Sequence, residues 1–490
     1  MLFTTIEFII FFILVITIIS IIKYRKFQHF FLLFASYFFF YFSSNYLVTL
    51  LIFSTILDYY IGKEIWKSKS LRRKKILLII SLAGNLGLLG FFKYADFAIL
   101  QFNILGNYIN LTENIPLLNL VLPIGISFYT FQTISYTVDI YRGHLEPSKT
   151  FREFALFVTF FPQLVAGPII RAKDFLPQLR DKLDNFGTRK RLCQISIHDK
   201  NLKLGITIMA FGFLKKMFFA DHIAIIANDI FSNPIGATSF EIWLGTIAFA
   251  FQIYGDFSGY SDIAIGAALI LGFKLSMNFN KPYFATSFSD FWKRWHISLS
   301  SWFRDYLYIP LGGNKKSAIR SYGNLFTVMI LAGLWHGAAW NFIIWGALHG
   351  IYLMILKIIE KIFPRLSQHF FFKTRNGKII SILVTQYFVF LAWIPFRVQG
   401  IDEIIYSISK FVIIDFQFSE VIPILMSHKI PVFILILFIA LHFISYRKGN
   451  FVEKISKLNL KIWFVVLMII SLSIILFYNG NPEDFIYFRF

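Results

Sequence analysis

Charge is scarce in this sequence. Only 15% of its 490 residues are Asp, Glu, Lys or Arg, against about 25% in a soluble domain. That leaves too little polar surface for a water-soluble globule of this size. Cysteine is nearly absent: Cys193 stands alone, which excludes an intramolecular disulfide and a cysteine zinc site. Cys193 lies in a basic loop, where a thiol nucleophile has no visible base. Three catalytic signatures are missing as well: the phosphate-cradling GxxxxGK loop, the zincin HExxH and the hydrolase GxSxG. Their absence disfavours an ATP-driven pump, a zinc protease and an α/β-hydrolase. No metal site and no permanently bound cofactor is expected. A cleaved leader is not expected either. The first apolar run, Ile6 to Ile22, has no lysine or arginine ahead of it and no small-residue cleavage site after it, so it reads as a first span with its N-terminus outside.

Apolar residues are plentiful. They make up 57% of the chain, with 62 Phe and 10 Trp to face lipid and to populate interfacial belts. The expected fold class is all-α: one polytopic membrane domain over residues 1–490, with roughly ten spans. The formal charge of +21 sits in short loops between apolar runs. This is the positive-inside pattern rather than a nucleic-acid face, and anionic lipid headgroups are a second partner for it. Residues 63–75, KEIWKSKSLRRKK, hold seven basic residues and one acid; they and the basic loop 171–203 are placed in the cytoplasm.

Other spans are read at Phe30–Gly62 with a break near Ser43 and Asn45, at Ile76–Phe92 followed by an outer loop from Asp96, and at Leu117–Val138. Phe154–Ile170 contains Pro162, Gly167 and Pro168 and is read as broken or re-entrant. Leu204–Phe231 is interrupted by Lys215 and Lys216, and Glu241–Phe273 follows. Residues 274–324 mix charge with aromatics and offer no 18-residue apolar run, so amphipathic interfacial helices on the cytoplasmic side are expected there. Leu325–Leu356 is long for one span and suggests a bent pair. Ile379–Phe396, Ile430–Tyr446 and Ile462–Tyr478 complete the set.

Ionisable residues at membrane depth are costly, so each is a functional candidate. His336 lies inside LAGLWHGAAWNFIIWGALHG, with Trp335, Trp340 and Trp345 close by. A helix would put it on one face with Ala332, Gly333, Ala339 and Trp340, beside a small-walled recess. A neutral imidazole there suits a general base; the plainer alternative is a buried histidine bonded to a carbonyl. His349 lies about 140° round an ideal helix from His336 and is read as structural. His296 follows Trp292, Lys293, Arg294 and Trp295. Lys293, Arg294 and Arg304 are candidates for phosphate attraction, or else snorkelling interfacial anchors. Gln252 to Gly266, QIYGDFSGYSDIAIG, sets Asp256, Ser258, Tyr260, Ser261 and Asp262 in an apolar run, as a polar cavity or as interhelical glue.

Five stretches together resemble the membrane-bound O-acyltransferases: Val121–Gly143, Phe160–Arg171, the QIYGDFSGYSDIAIG run, Phe279–Gly313 and the segment around His336. Within that family they are most similar to the alginate-acetylating branch, and the segment Pro482–Phe490, PEDFIYFRF, shares the likeness. The resemblance implies helices around a central funnel, with His336 and His296 in the positions of the family's two site residues. It implies acetyl transfer from a cytoplasmic thioester, acetyl-CoA, to a hydroxyl of an extracytoplasmic polysaccharide at the bacterial inner membrane. A separate extracytoplasmic acetyltransferase protein would be its partner. D-alanyl transfer to another envelope polymer, and a transporter or export scaffold without covalent chemistry, are the competing classes.

Overall fold

The structure is a computed structural model. It describes residues 1–22, 24–110, 114–164, 167–184, 199–315, 317–364, 374–478 and 483–488. Cys193 and residues 185–198 of the expected basic loop 171–203 lie outside these, while 172–184 and 199–203 are helical rather than loop. Among the described residues there are helices and no strands. Five stretches are long and apolar enough to cross a bilayer: Lys26–Lys67, Leu71–Tyr108, Trp340–Ile362, Arg375–Arg397 and Lys429–Lys448. Two shorter apolar helices, Ile6–Ile21 and Leu460–Leu476, join them. The other segments counted toward ten are shorter or carry polar groups in mid-helix.

The chain forms two compact units, residues 1–209 with 261–276, and residues 210–260 with 277–490. The first holds α1 (Ile6–Ile21), α2 (Arg25–Ser44), α3 (Val48–Lys67), α4 (Leu71–Tyr108), α5 (Ile126–Tyr141), α6 (Phe151–Thr159), α7 (Phe161–Leu164) and α8 (Ala172–Asp184). The break between α2 and α3 falls where Ser43 and Asn45 place it. The break between α6 and α7 matches the broken element expected around Pro162. α4 is longer than its expected span, because Asp96 is not the start of an outer loop. Its carboxylate accepts from the backbone N–H of Leu118 and Leu120 (2.7 and 3.3 Å), so the polar residue lies on the helix and anchors the extended segment after it. The helix expected from Leu117 accordingly begins only at Ile126.

α4 is turned inside out relative to a soluble helix. Its buried residues are Ser81, Asn85, Leu89 and Gly106, while Ile76, Ile79 and Ile80 are exposed. With lipid outside, apolar groups gain nothing by turning inward, so polar groups face the protein. Ser81 and Asn85 meet Asp58 of α3, donating at 2.6 and 2.7 Å. Thr133 of α5 donates to Asn85 at 3.2 Å. These bonds between Asp58, Ser81, Asn85 and Thr133 knit three helices together.

The second unit carries the end of α9 (Asp199–Phe213), a π-helical turn at Leu214–Ala220, α10 (Asp221–Ser232) and most of α11 (Ser239–Ile270). The π turn falls on Lys215 and Lys216, the interruption seen in the sequence. Residues 282–308 then form short turns, including α12 (Phe288–Trp292) and α13 (Ile297–Phe303), where no long apolar helix is expected. α14 (Ala318–His336) and α15 (Trp340–Ile362) are the bent pair, an antiparallel hairpin. A Cβ at Gly333 would collide with the Phe342 carbonyl, and one at Gly346 with the Met329 carbonyl, so the two limbs touch backbone to backbone. α16 (Arg375–Arg397), α17 (Ile401–Val412), α18 (Phe418–Ser427), α19 (Lys429–Lys448), α20 (Phe451–Ser456) and α21 (Leu460–Leu476) complete the unit.

Candidate functional site

His336 is the last residue of α14. Gly337 follows in an extended conformation, and α15 begins at Trp340. The helix therefore ends before Ala339 and Trp340, which belong to the return limb rather than to the face of His336. The imidazole is buried and ringed by aromatics. Trp335, Trp345, Phe396 and Tyr487 stand 4.9, 5.0, 5.1 and 5.4 Å away between ring centroids.

The same break changes the position of His349. A continuous helix would have pointed it elsewhere, but Trp345 now contacts both histidines, 5.0 Å from His336 and 4.9 Å from His349. His349 is fully buried. It stacks on Phe291 at 6.0 Å and meets Trp292 edge-on at 5.1 Å. Its two ring nitrogens have no hydrogen-bond partner among the described residues. This is an aromatic packing position that supports the indole under His336.

His296 precedes α13 with φ of +41°, a left-handed backbone that a non-glycine residue seldom adopts. Residues held in such conformations cluster at functional sites. Its ring is fully buried against Phe257 at 4.6 Å, and burial lowers its pKa to about 3. It is therefore neutral at cellular pH and a poor proton acceptor, which suits hydrogen bonding and orientation better than proton removal. Tyr487 joins the two histidines, with ring centroids 6.2 Å from His296 and 5.4 Å from His336. Sequence reasoning used the segment around Tyr487 only as a mark of likeness; its place in the site is a contact across the chain that no local pattern discloses.

A cavity of about 280 Å³ opens beside His336. One wall is a stripe on α14, Leu325, Val328, Met329, Ala332 and His336, spaced three and four residues apart as a single helical face requires. From Leu325 to His336 that stripe runs about 16 Å at 1.5 Å per residue. Arg304, Tyr308, Asn314 and Lys357 also line the cavity. The Lys357 ammonium donates to Asn314 Oδ1 at 2.8 Å, to the Tyr308 hydroxyl at 3.1 Å and to Ser321 Oγ at 3.2 Å. All three acceptors are neutral, so the positive charge is held without being neutralised.

Of the basic residues singled out in the sequence, Arg304 lines this cavity while paired with Asp305 at 2.7 Å. Arg294 is bound to Asp290 at 2.8 Å. Lys293 is exposed, and neither it nor Arg294 lines the cavity. Lys357 was missed because it reads as the polar end of a span. Among the described residues no group of three His, Cys, Asp or Glu is placed to hold a metal.

The sequence matches the profile of the membrane-bound O-acyltransferase family over residues 54–399. It is 36% identical over 396 residues to the peptidoglycan O-acetyltransferase of Helicobacter pylori, covering 76% of this chain and 71% of that protein. It is 38% identical over 385 residues to the probable alginate O-acetylase AlgI of Pseudomonas aeruginosa, covering 77% and 68%. A more distant likeness, 30% over 282 residues, links it to the teichoic acid D-alanyltransferase of Bacillus subtilis, covering 55% of this chain and 67% of that one. An all-helical, multi-pass membrane protein whose central segments match in this way is an acyltransferase, and the chain belongs to the membrane-bound O-acyltransferase family.

Proposed function

We propose that this protein transfers acetyl from a cytoplasmic thioester, acetyl-CoA, toward a hydroxyl of an extracytoplasmic polysaccharide, working in the bacterial inner membrane with a separate acetyltransferase protein. The observation that carries this reading is the cavity, with buried His336 at one end of an apolar wall and Arg304 and Lys357 among its polar lining. Such a lining suits a slender thioester arm that ends in an anionic group: apolar contacts take the arm, and the cations take the charge. The names of the relatives, two O-acetyl and one D-alanyl transferase, favour a small acyl group.

In this reading His336 accepts the proton of the attacking hydroxyl as the oxygen bonds to the thioester carbonyl carbon. Collapse of the tetrahedral adduct breaks the carbon–sulfur bond. The thiol leaves with the proton returned from the imidazole, and an ester is formed. His296, neutral and fully buried, helps to orient the reacting groups. Trp345 and Phe396 exclude water from the imidazole, which limits hydrolysis of the thioester.

The test is thioester turnover by the purified protein in lipid nanodiscs, with acetyl-CoA as donor, for the wild type and His336→Ala. Acetyl transfer that disappears in the variant at equal abundance supports the reading. Turnover that survives His336→Ala removes the assignment of the base, and absence of any acetyl-CoA turnover removes the donor.

A further inference from the structure

Lys216 sits on the π-helical turn that follows α9, and its side chain is 1% exposed. It forms ion pairs with Asp221 at 2.7 Å and with Asp256 at 3.0 Å, both carboxylates nearly as buried. Gly259 makes room for it: a Cβ there would lie 2.8 Å from the Gly212 carbonyl and 3.0 Å from the backbone nitrogen of Lys216. One cation between two acids leaves the cluster with excess negative charge. Buried charge of this kind persists only with further hydrogen-bond donors.

The segment 483–488 supplies one. The backbone N–H of Ile486 donates to Asp256 Oδ2 at 2.7 Å, and Lys216 donates to the carbonyl of Glu483 at 2.7 Å. Asn228 of α10 donates to the Glu483 carboxylate at 2.9 Å. Two of these three bonds grip the segment by its main chain. Between them Phe485 is fully buried, 4.2 Å from the ring of Tyr260. One residue beyond Ile486, Tyr487 packs on Phe257 at 4.5 Å and faces His336 and His296.

We infer that Lys216 is a positioning residue of the acyl-transfer site: together with Asp256 it docks segment 483–488 by its main chain and so holds Tyr487 against His336 and His296. The inference rests on the assignment of the reaction to His336. A π turn is an irregularity found frequently at functional sites, and here it delivers a lysine that bonds this segment. The donor cavity is lined by no residue of segment 483–488. Undocking the segment therefore lowers kcat and leaves the KM for acetyl-CoA unchanged, whereas general loss of fold lowers the active fraction.

Two variants separate the clamp from the fold. Lys216→Met removes the cation, and Lys216→Arg restores it. Ile486→Pro deletes that N–H, together with one buried isoleucine side chain, and leaves the Lys216 ion pairs intact; proline is tolerated at the first position of a helical turn. The expected loss of kcat is at least about 100-fold for Lys216→Met and on the order of 10-fold for Ile486→Pro, since a hydrogen bond to a charged group is at stake. Lys216→Arg recovers part of the activity. In a Cys193→Ser background, Asn228→Cys and Glu483→Cys joined by a short bismaleimide tether the segment. Activity regained by Ile486→Pro after cross-linking establishes docking as the function of the clamp. Wild-type kcat in Lys216→Met, or no gain on cross-linking, overturns the inference. His336→Ala, run in parallel, separates the two hypotheses. If it is inactive while the clamp variants turn over normally, only the clamp fails; if it stays active, the assignment of the base fails as well.

Discussion

Asp58 and Asp256 are both buried carboxylates on long helices, and their surroundings differ in kind. Asp58 accepts from Ser81 and Asn85, and no cation among the described residues reaches it. Its partners are short side chains on α4 and α5, so among the described residues the cluster joins three neighbouring helices. Asp256 is paired with Lys216 and accepts from the backbone of Ile486, 230 positions away in sequence. Neutral donors make adhesive between helices. A charged cluster retains unsatisfied demand, and in this protein it meets that demand with main-chain groups from a distant segment. The first arrangement contributes to stability; the second determines what stands beside His336.

The contrast is broken or sharpened by four measurements. The largest effect is expected at the site that the charged cluster serves. His336→Ala should lower acyl transfer by about 10²–10⁴-fold, the usual contribution of a general base, with normal abundance and monodispersity. His349→Ala should fall between that variant and the wild type, because it opens a space beneath Trp345 without touching the reacting groups. Equal loss in both would move the chemistry away from His336. Next, Asp256→Asn should cost on the order of 10–100-fold in kcat, since a charge-assisted anchor is lost; unchanged turnover would make the two carboxylates equivalent. Asp58→Asn should leave kcat within about twofold and lower thermal stability by about 1 kcal/mol, the worth of one hydrogen bond. Thermal unfolding followed beside turnover reads both quantities, and a kcat loss in Asp58→Asn matching that of Asp256→Asn would end the distinction. The smallest effect, near zero, is expected for Cys193→Ser. Activity lost at normal abundance in that variant would bring a thiol into the mechanism.

That cysteine-free background also tests orientation. Single cysteines placed in 63–75 should resist an impermeant thiol reagent added outside intact cells, because seven basic residues there favour the cytoplasmic side.

Features that depend on neighbours in sequence were legible. The interruptions at Ser43–Asn45, at Lys215 and Lys216, and within Leu325–Leu356 each appear as a helix end or a π turn, because polar residues and glycines alter backbone preference locally. That residues 274–324 would not form one long apolar helix was legible for the same reason. Features that depend on partners across the chain were not. Asp96 reads as a loop residue until its carboxylate is seen to bind the backbone of Leu118 and Leu120. Asp256 was visible as an anomaly, but its pairing with Lys216 was not, since 40 residues separate two features that each looked like a break. Arg294 and Arg304 were chosen for their charge, and intramolecular carboxylates engage both. Lys357 was passed over, although its charge rests on neutral oxygens. Net charge in a sequence window does not show which cations remain available.

The glycine contacts of the α14–α15 hairpin bear on how such a protein diversifies. Carbonyls press where Cβ atoms would stand at Gly333 and Gly346, so drift at these positions is blocked and the spacing of the limbs is frozen. The cavity wall is made instead by the side chains of Leu325, Val328 and Met329, which take no part in that contact. Exchanging these for larger or smaller groups would alter the width of the cavity without disturbing the backbone contact that sets His336 at the hairpin tip. The hairpin thus separates a constant, the placement of His336, from a tunable variable, the size of the cavity beside it.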